Sequence, residues 1–178
     1  MESINSFSKK NTIIKRIIFA DFLIAVFSIQ STGGLFFAPF NINAVLIIPL
    51  TVSISMFERE FAGIFYGLLA GAMSDAFNAS TVCYNAIFFT VVGFACGALI
   101  TYLMRNNLVC AVMLTAVVSL LYNTIYFLLF FAFKDIQHPF ITYIINYFVS
   151  AIYTTLLTPI FYLAVRAIYK KFKVIPHN

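Results

Sequence analysis

The chain has 178 residues and a net charge of +5, and 62% of its residues are hydrophobic while only 10% are charged. A soluble domain carries about 25% charged residues, so this balance excludes a water-soluble fold, and the 22 phenylalanines and 10 tyrosines exclude intrinsic disorder. The basic residues gather toward the two ends of the chain, which is typical of membrane topology signals rather than of nucleic-acid binding.

Six apolar segments follow one another and predict an all-α, integral membrane protein with six transmembrane helices, since a spanning helix needs about 20 apolar residues. We assign the whole chain, residues 1–178, to one such domain. The second segment is short and contains Pro49, and the sixth contains Pro159. The segments cover residues 17–31, 44–57, 61–77, 82–104, 108–133 and 140–168.

The distribution of Lys and Arg predicts that both termini face the cytoplasm. Residues 1–16 form a basic N-terminal tail and residues 169–178 a basic C-terminal tail. With six spans, ten of the 11 basic residues fall on the side of the termini, and only Lys134 falls on the other side. Cytoplasmic loops are enriched in Lys and Arg, so this bias also favours an even number of spans.

Small residues occupy one face of the third segment and continue into the fourth. Residues at a spacing of four share a face of a helix, and small side chains there let two helices approach closely. We predict that this face packs against a neighbouring helix of the same chain, with docking of a partner protein as the alternative. The residues of the face are Gly63, Gly67, Gly71, Asp75, Gly93 and Gly97.

Asp75 is the unusual charge within the predicted spans. A carboxylate inside a membrane is costly and is by default a candidate for function. The alternative is a helix-end group that bonds to the following turn at Asn78 and Ser80, and the sequence leaves both open. Asp21, in contrast, follows closely after Lys15 and Arg16, so local charge compensation explains it.

Two later segments carry polar residues at helical spacing. Such residues usually form hydrogen bonds between membrane helices, each contributing about 0.6 kcal/mol, and the alternative is a cavity for a small molecule. The residues are Thr115, Ser119 and Asn123 in the fifth segment, and Asn146, Ser150, Thr154 and Thr158 in the sixth.

Motifs for catalysis, metal binding or cofactor binding are absent from the sequence. It contains no G-x-S-x-G, no H-E-x-x-H and no glycine-rich phosphate loop. The three cysteines have no zinc or redox spacing, and the predicted topology puts His138 and His177 on opposite sides. We therefore predict no enzyme, no catalytic, metal or cofactor residues, no cofactor and no nucleic-acid partner. An intramembrane enzyme would depend on Asp75 alone.

Segments two to four combine several features in a fixed order. A proline leads into the second segment, a short charged turn ends it, a G-x-x-x-G-L-L segment then ends in an acidic residue, and a glycine-containing segment follows. This order resembles the rod shape-determining protein MreD family of bacteria, although this chain has Asn41 and residues 79–83 where the family often has an acidic residue and a glycine. The matching positions are Pro39, residues 58–60, Gly63, Gly67, Leu68, Leu69, Asp75, Gly93 and Gly97.

The resemblance implies a scaffold of the cell-elongation (rod) complex in the bacterial cytoplasmic (inner) membrane. Such a protein binds an MreC-like membrane protein and acts indirectly on cell-wall synthases and actin-like filaments, and so on cell shape and peptidoglycan synthesis. The family's fold is similar to that of the substrate-binding subunits of energy-coupling factor transporters. The alternative function is therefore a vitamin-binding subunit, although Ile24 and Ile29 interrupt the Ala-x-x-x-Ala pattern with which those subunits dock.

Overall fold

The structure, a computed structural model, describes residues 2–32, 45–77, 83–130 and 147–172, with side chains from Thr12 onward. All regular structure in these residues is helical, which confirms the all-α class. The helices are α1 (Glu2–Ser31), α2 (Ile47–Phe77), α3 (Tyr84–Tyr102), α4 (Leu108–Phe130) and α5 (Val149–Lys171). Helix α1 thus includes most of the predicted N-terminal tail, and α5 runs into the predicted C-terminal one.

The prediction of six transmembrane helices is wrong. Among the described helices, three are long and apolar enough to cross a membrane, namely α3, α4 and α5. Helix α1 carries Lys15, Arg16 and Asp21, and charges at a spanning position are costly. The predicted second and third segments are joined in α2, with the charges of residues 58–60 in its middle. The three apolar helices indicate a membrane protein.

Helix α2 folds back on itself at Arg59. This residue has φ 68° and ψ −177°, a backbone conformation that is rare for residues with a Cβ. A Cβ built on Gly63 would lie 2.9 Å from the Ser55 hydroxyl, whereas residues eight apart in a straight helix are about 12 Å apart. The two halves of α2 therefore run beside each other.

Contacts with α1 give the course of α2. Its two ends lie near the C-terminal part of α1, while the bend lies near Lys15. The contacts are a hydrogen bond from the Ile47 N–H to Gln30 Oε1 (3.2 Å), rings of Phe27 and Phe77 with centroids 5.0 Å apart, and an ion pair of Lys15 Nζ with Glu58 Oε1 (2.6 Å).

The first half of α2 is the centre of the bundle. Every residue from Leu46 to Met56 is buried, and a helix that is buried on all sides lies in the interior. Two of its polar residues satisfy their hydroxyls locally, since Ser53 donates to the carbonyl of Pro49 and Ser55 to that of Thr51. The other helices pack around this central element.

The bundle has two chemically distinct ends. We call the end that contains Lys15, Arg59 and Arg166 the basic end, and the end that contains Phe77 and Tyr84 the opposite end. Helix α1 starts and α5 finishes on the basic side, as the position of Lys15 4.8 Å above the Tyr169 ring shows. That the basic end faces the cytoplasm stays a prediction.

Candidate functional site

The predicted glycine face lies at the contact between the second half of α2 and α3. A Cβ built on Gly63 would meet the carbonyl of Gly93, and one built on Gly67 would meet the carbonyl of Phe89. At the basic end, a Cβ on Gly97 would lie 2.7 Å from the Glu60 Cα. The two backbones therefore touch along the whole face, and the face is covered by the chain itself.

The spacing of the glycines explains why α2 offers this contact. In its second half, Gly63, Gly67 and Gly71 are buried, while Phe61 and Phe65 are 82% and 59% exposed. Residues four apart share one side of a helix, so the small residues turn toward α3 and the large apolar ones turn outward. An outward apolar face suits lipid or another membrane helix.

Asp75 binds the start of α3. Its Oδ1 accepts a hydrogen bond from the Asn85 N–H (3.2 Å), and its Oδ2 accepts one from the Ala86 N–H (2.8 Å). The first N–H groups of a helix have no partner within the helix, and Cys83 before α3 supplies no side-chain cap. A negative charge is also favourable at a helix N-terminus, so Asp75 acts as a cap supplied by the preceding helix.

The predicted partners of Asp75, in contrast, lie outside the described residues. Asn78 and Ser80 belong to a stretch that the structure does not describe. The two bonds from Asp75 to the start of α3 join α2 to α3 at the opposite end, next to the glycine contact. A structural role for this carboxylate follows directly from them.

Asn85 extends this polar contact to α4. It is buried with 1% of its surface exposed, and its Oδ1 accepts a hydrogen bond from the Tyr122 hydroxyl (2.9 Å). Our sequence analysis missed both residues. The one signal in the sequence was the amide of Asn85, near the start of an otherwise apolar segment. Around them lies an aromatic cluster of Tyr84, Phe88, Phe89, Tyr122 and Tyr126.

The polar faces predicted on the last two segments lie inside the bundle. Two of their residues bond to another element, since Asn123 Nδ2 donates to the Tyr147 carbonyl (2.9 Å) and Thr154 Oγ1 accepts from the Val45 N–H (3.2 Å). Asn146 lies outside the described residues. The buried residues of these faces are Thr115, Ser119, Asn123, Ser150, Thr154 and Thr158.

A polar pocket of about 440 Å³ opens at the basic end. It lies where the bend of α2, the end of α3, the start of α4 and the last turns of α5 come together. Polar side chains from all four places contribute to it. They include Arg59, Thr101, Asn106, Asn107, Tyr162 and Arg166.

Asn106 holds the walls of this pocket together. Its Nδ2 donates to the Met56 carbonyl (2.9 Å), and its Oδ1 accepts from the Tyr162 hydroxyl (3.0 Å). One amide side chain, in the loop between α3 and α4, thus bonds to both α2 and α5. The pocket is therefore built from fixed elements rather than from one loop.

The two glutamates near the pocket have partners of their own. Glu58 pairs with Lys15 as described above. Glu60 accepts a hydrogen bond from the Thr101 hydroxyl (3.0 Å). A hydrogen bond from its own backbone, the Thr101 hydroxyl and the charge of Arg59 lower the pKa of Glu60 below its ordinary value, so this carboxylate stays ionised at neutral pH.

Within the described ranges, no cluster of three or more His, Cys, Asp or Glu is close enough to hold a metal ion. Cys83, Cys96 and Cys110 are free thiols.

The fold and the site together define the class of an α-helical membrane protein. No protein-family model, no curated protein and no solved structure matches the chain. The resemblance to MreD stays a prediction. The predicted likeness to the six-helix transporter subunits is withdrawn together with the six spans.

Proposed function

We propose that this protein is a membrane scaffold of the bacterial cell-elongation (rod) complex. In this role it binds an MreC-like membrane protein and helps to control cell shape and peptidoglycan synthesis, while cell-wall synthases and actin-like filaments are reached indirectly. The observation that carries the proposal is the α2–α3 contact, because the glycines that carry the resemblance also build the closest helix pair described. Backbone contact of this kind leaves the two helices little room to move, which suits a scaffold.

Several polar side chains form hydrogen bonds within the bundle, which supports a scaffold rather than a catalyst. Asp75 is bound to the start of α3, and Asn85 to Tyr122. Asn123 and Thr154 bond to neighbouring elements. A bundle whose polar side chains hold its own helices together acts on other molecules through its surface.

The partner contacts a face other than the glycine face, because α3 already covers the glycines. The outward side of α2 is the face to test, since Phe61 and Phe65 are exposed there beside a groove of about 540 Å³ that Ile17 and Ala20 of α1 complete. The occupant proposed is the membrane helix of the MreC-like protein, which meets an apolar surface of this kind inside the bilayer.

Co-purification separates the two faces. Phe61→Ala and Phe65→Ala together should leave the protein folded and reduce recovery of the MreC-like protein. Leu156→Ala, at an exposed position of α5 (69% exposed), is the matched control. Equal recovery with the double variant and the control would contradict this choice of face.

We also propose that the basic end, and with it both termini, faces the cytoplasm of a bacterium. Lys15, Arg59 and Arg166 lie at that end, and basic residues are retained on the cytoplasmic side. Cys83, which is exposed at the opposite end, should react with an impermeant thiol reagent in spheroplasts of a variant whose other cysteines are replaced. Lys170→Cys in a cysteine-free background should react only after permeabilisation, and the reverse pattern would refute this orientation.

Depletion in a rod-shaped host tests the function itself. Loss of a scaffold of the elongation machinery should give rounded cells without any vitamin requirement. Cells that keep their shape and fail only in vitamin-poor medium, or purified protein that carries a bound vitamin, would refute the proposal and favour the vitamin-binding subunit.

A further inference from the structure

The pocket at the basic end is lined by two arginines, neither of which forms an ion pair with another residue in the described part of the chain. Arg59 and Arg166 both line it, and the ion pair found there joins Lys15 to Glu58 instead. Glu60 follows Arg59 in the chain and is close enough for the charge of Arg59 to lower its pKa, while its carboxylate accepts a hydrogen bond from the Thr101 hydroxyl. A guanidinium is always charged, so the pocket presents two fixed positive charges.

The start of α4 adds to this positive character. Asn107 and Leu108 line the pocket, and the Asn107 carbonyl accepts the N–H of Ala111 (3.0 Å), which places the beginning of the helix there. The first N–H groups of a helix have no partner within the helix, and together with the helix dipole they favour an anion. The two arginines and the helix start therefore favour the same kind of ligand.

The backbone at Arg59 gives an independent indication. Its φ of 68° is a strained conformation for a residue with a Cβ, and such strain clusters at functional sites. Glycine would adopt this conformation freely. An arginine that lines the pocket at this position is kept at a cost in backbone strain, which is expected where the residue binds something.

We infer that this pocket binds a phosphate group through Arg59 and Arg166. Arginine presents paired N–H donors that match two phosphate oxygens, and Asn107 and the start of α4 supply further donors. The lining also includes Phe57 and Ile100, which suit the glycerol and first acyl carbons of an anionic phospholipid. Free phosphate offers the same chemistry without the apolar part. This inference is independent of the scaffold proposal.

Native mass spectrometry of the purified full-length protein in neutral detergent tests the site. The probes are phosphatidylglycerol, phosphatidylcholine and, in a separate thermal-shift arm, inorganic phosphate. The wild type should retain phosphatidylglycerol in preference to phosphatidylcholine. Arg166→Gln and Arg59→Gly should each weaken this binding about tenfold, as expected for the loss of one charge-assisted contact.

Three further variants separate binding from folding and from general surface charge. Arg105→Gln removes the same charge from an exposed residue of the neighbouring connection that does not line the pocket, and it should bind as the wild type does. Arg59→Gly also relieves the strained backbone, so it should unfold at the same temperature as the wild type or higher. Arg166→Lys should restore part of the affinity lost in Arg166→Gln.

Each outcome decides between the possibilities. Arginine-dependent retention of phosphatidylglycerol supports a lipid headgroup, whereas arginine-dependent stabilisation by inorganic phosphate without lipid preference supports a free phosphate in the same site. Equal loss in Arg105→Gln and Arg166→Gln would show attraction to the whole basic end and would overturn the site. Unchanged binding in both pocket variants would overturn it as well.

Discussion

The α2–α3 and α4–α5 contacts join neighbouring helices by different physical means. At α2–α3 the glycines let the two backbones touch, and no side chain lies between Gly67 and the Phe89 carbonyl. At α4–α5 side chains of both helices line a groove of about 380 Å³ beside Ala116 and Ala151. At the first contact an added side chain would meet backbone that cannot move aside. At the second, the side chains can change rotamer to accommodate a substitution.

The largest expected effect is at the glycine contact. Gly67→Leu would force its side chain against the backbone of Phe89, and backbone cannot move aside as a flexible side chain can. We expect a loss of about 3 kcal/mol, seen as lower yield and a lower melting temperature in detergent. Ala72→Leu adds comparable bulk on the exposed side of the same helix and should be tolerated. Similar melting temperatures for the two variants would contradict backbone contact.

The next effect concerns the cap that completes the same contact. Asp75→Ala removes both acceptors from the first turn of α3, and we expect it to lower the free energy of unfolding by about 1–2 kcal/mol. Asp75→Asn keeps one oxygen and should lose less. Asp21→Asn, at an exposed position of α1, serves as the control in the same thermal unfolding assay. If Asp75→Ala is as stable as the wild type, the hydrogen bonds from Asp75 to the start of α3 do not stabilise the fold.

A smaller effect is expected where a single side-chain hydrogen bond joins α5 to Val45, just before α2. Thr154→Val removes the acceptor of the Val45 N–H and should cost about 0.6 kcal/mol. Thr155→Val is a matched control, because the Thr155 hydroxyl bonds within its own helix to the Ala151 carbonyl. A loss at Thr154 as large as that of Gly67→Leu would show that this single side-chain bond stabilises the bundle as much as the backbone contact at the glycines does.

The smallest effect is a dependence on pH at the basic end of the glycine contact. The pKa of Glu60 is lower in the folded protein, so its contribution to stability is present above its unfolded pKa of about 4.3 and is lost as the pH falls through the folded value. Glu60→Gln should therefore reduce the decline in melting temperature between neutral pH and about pH 3. Identical pH profiles for variant and wild type would contradict the role of the Thr101 hydrogen bond.

The sequence by itself determined the class of the protein and the character of its closest contact. Apolar composition and helical period are properties of neighbouring residues, so they predicted α-helices in a membrane and a small-residue face at Gly63, Gly67 and Gly71. The count of spans failed because apolar segments were treated as separate helices of full length. The stretch from Ile47 to Glu58 is only about 18 Å long, against a hydrocarbon core of about 30 Å.

Only the tertiary structure decided which groups meet. It placed the start of α3 on the carboxylate of Asp75, and it brought Asn85 to Tyr122. It also brought Arg59 and Arg166, from distant parts of the chain, into one pocket at the bend of α2. Such pairings depend on how the helices cross and where a helix bends, and these are set by packing among residues far apart in the sequence, which no local pattern encodes.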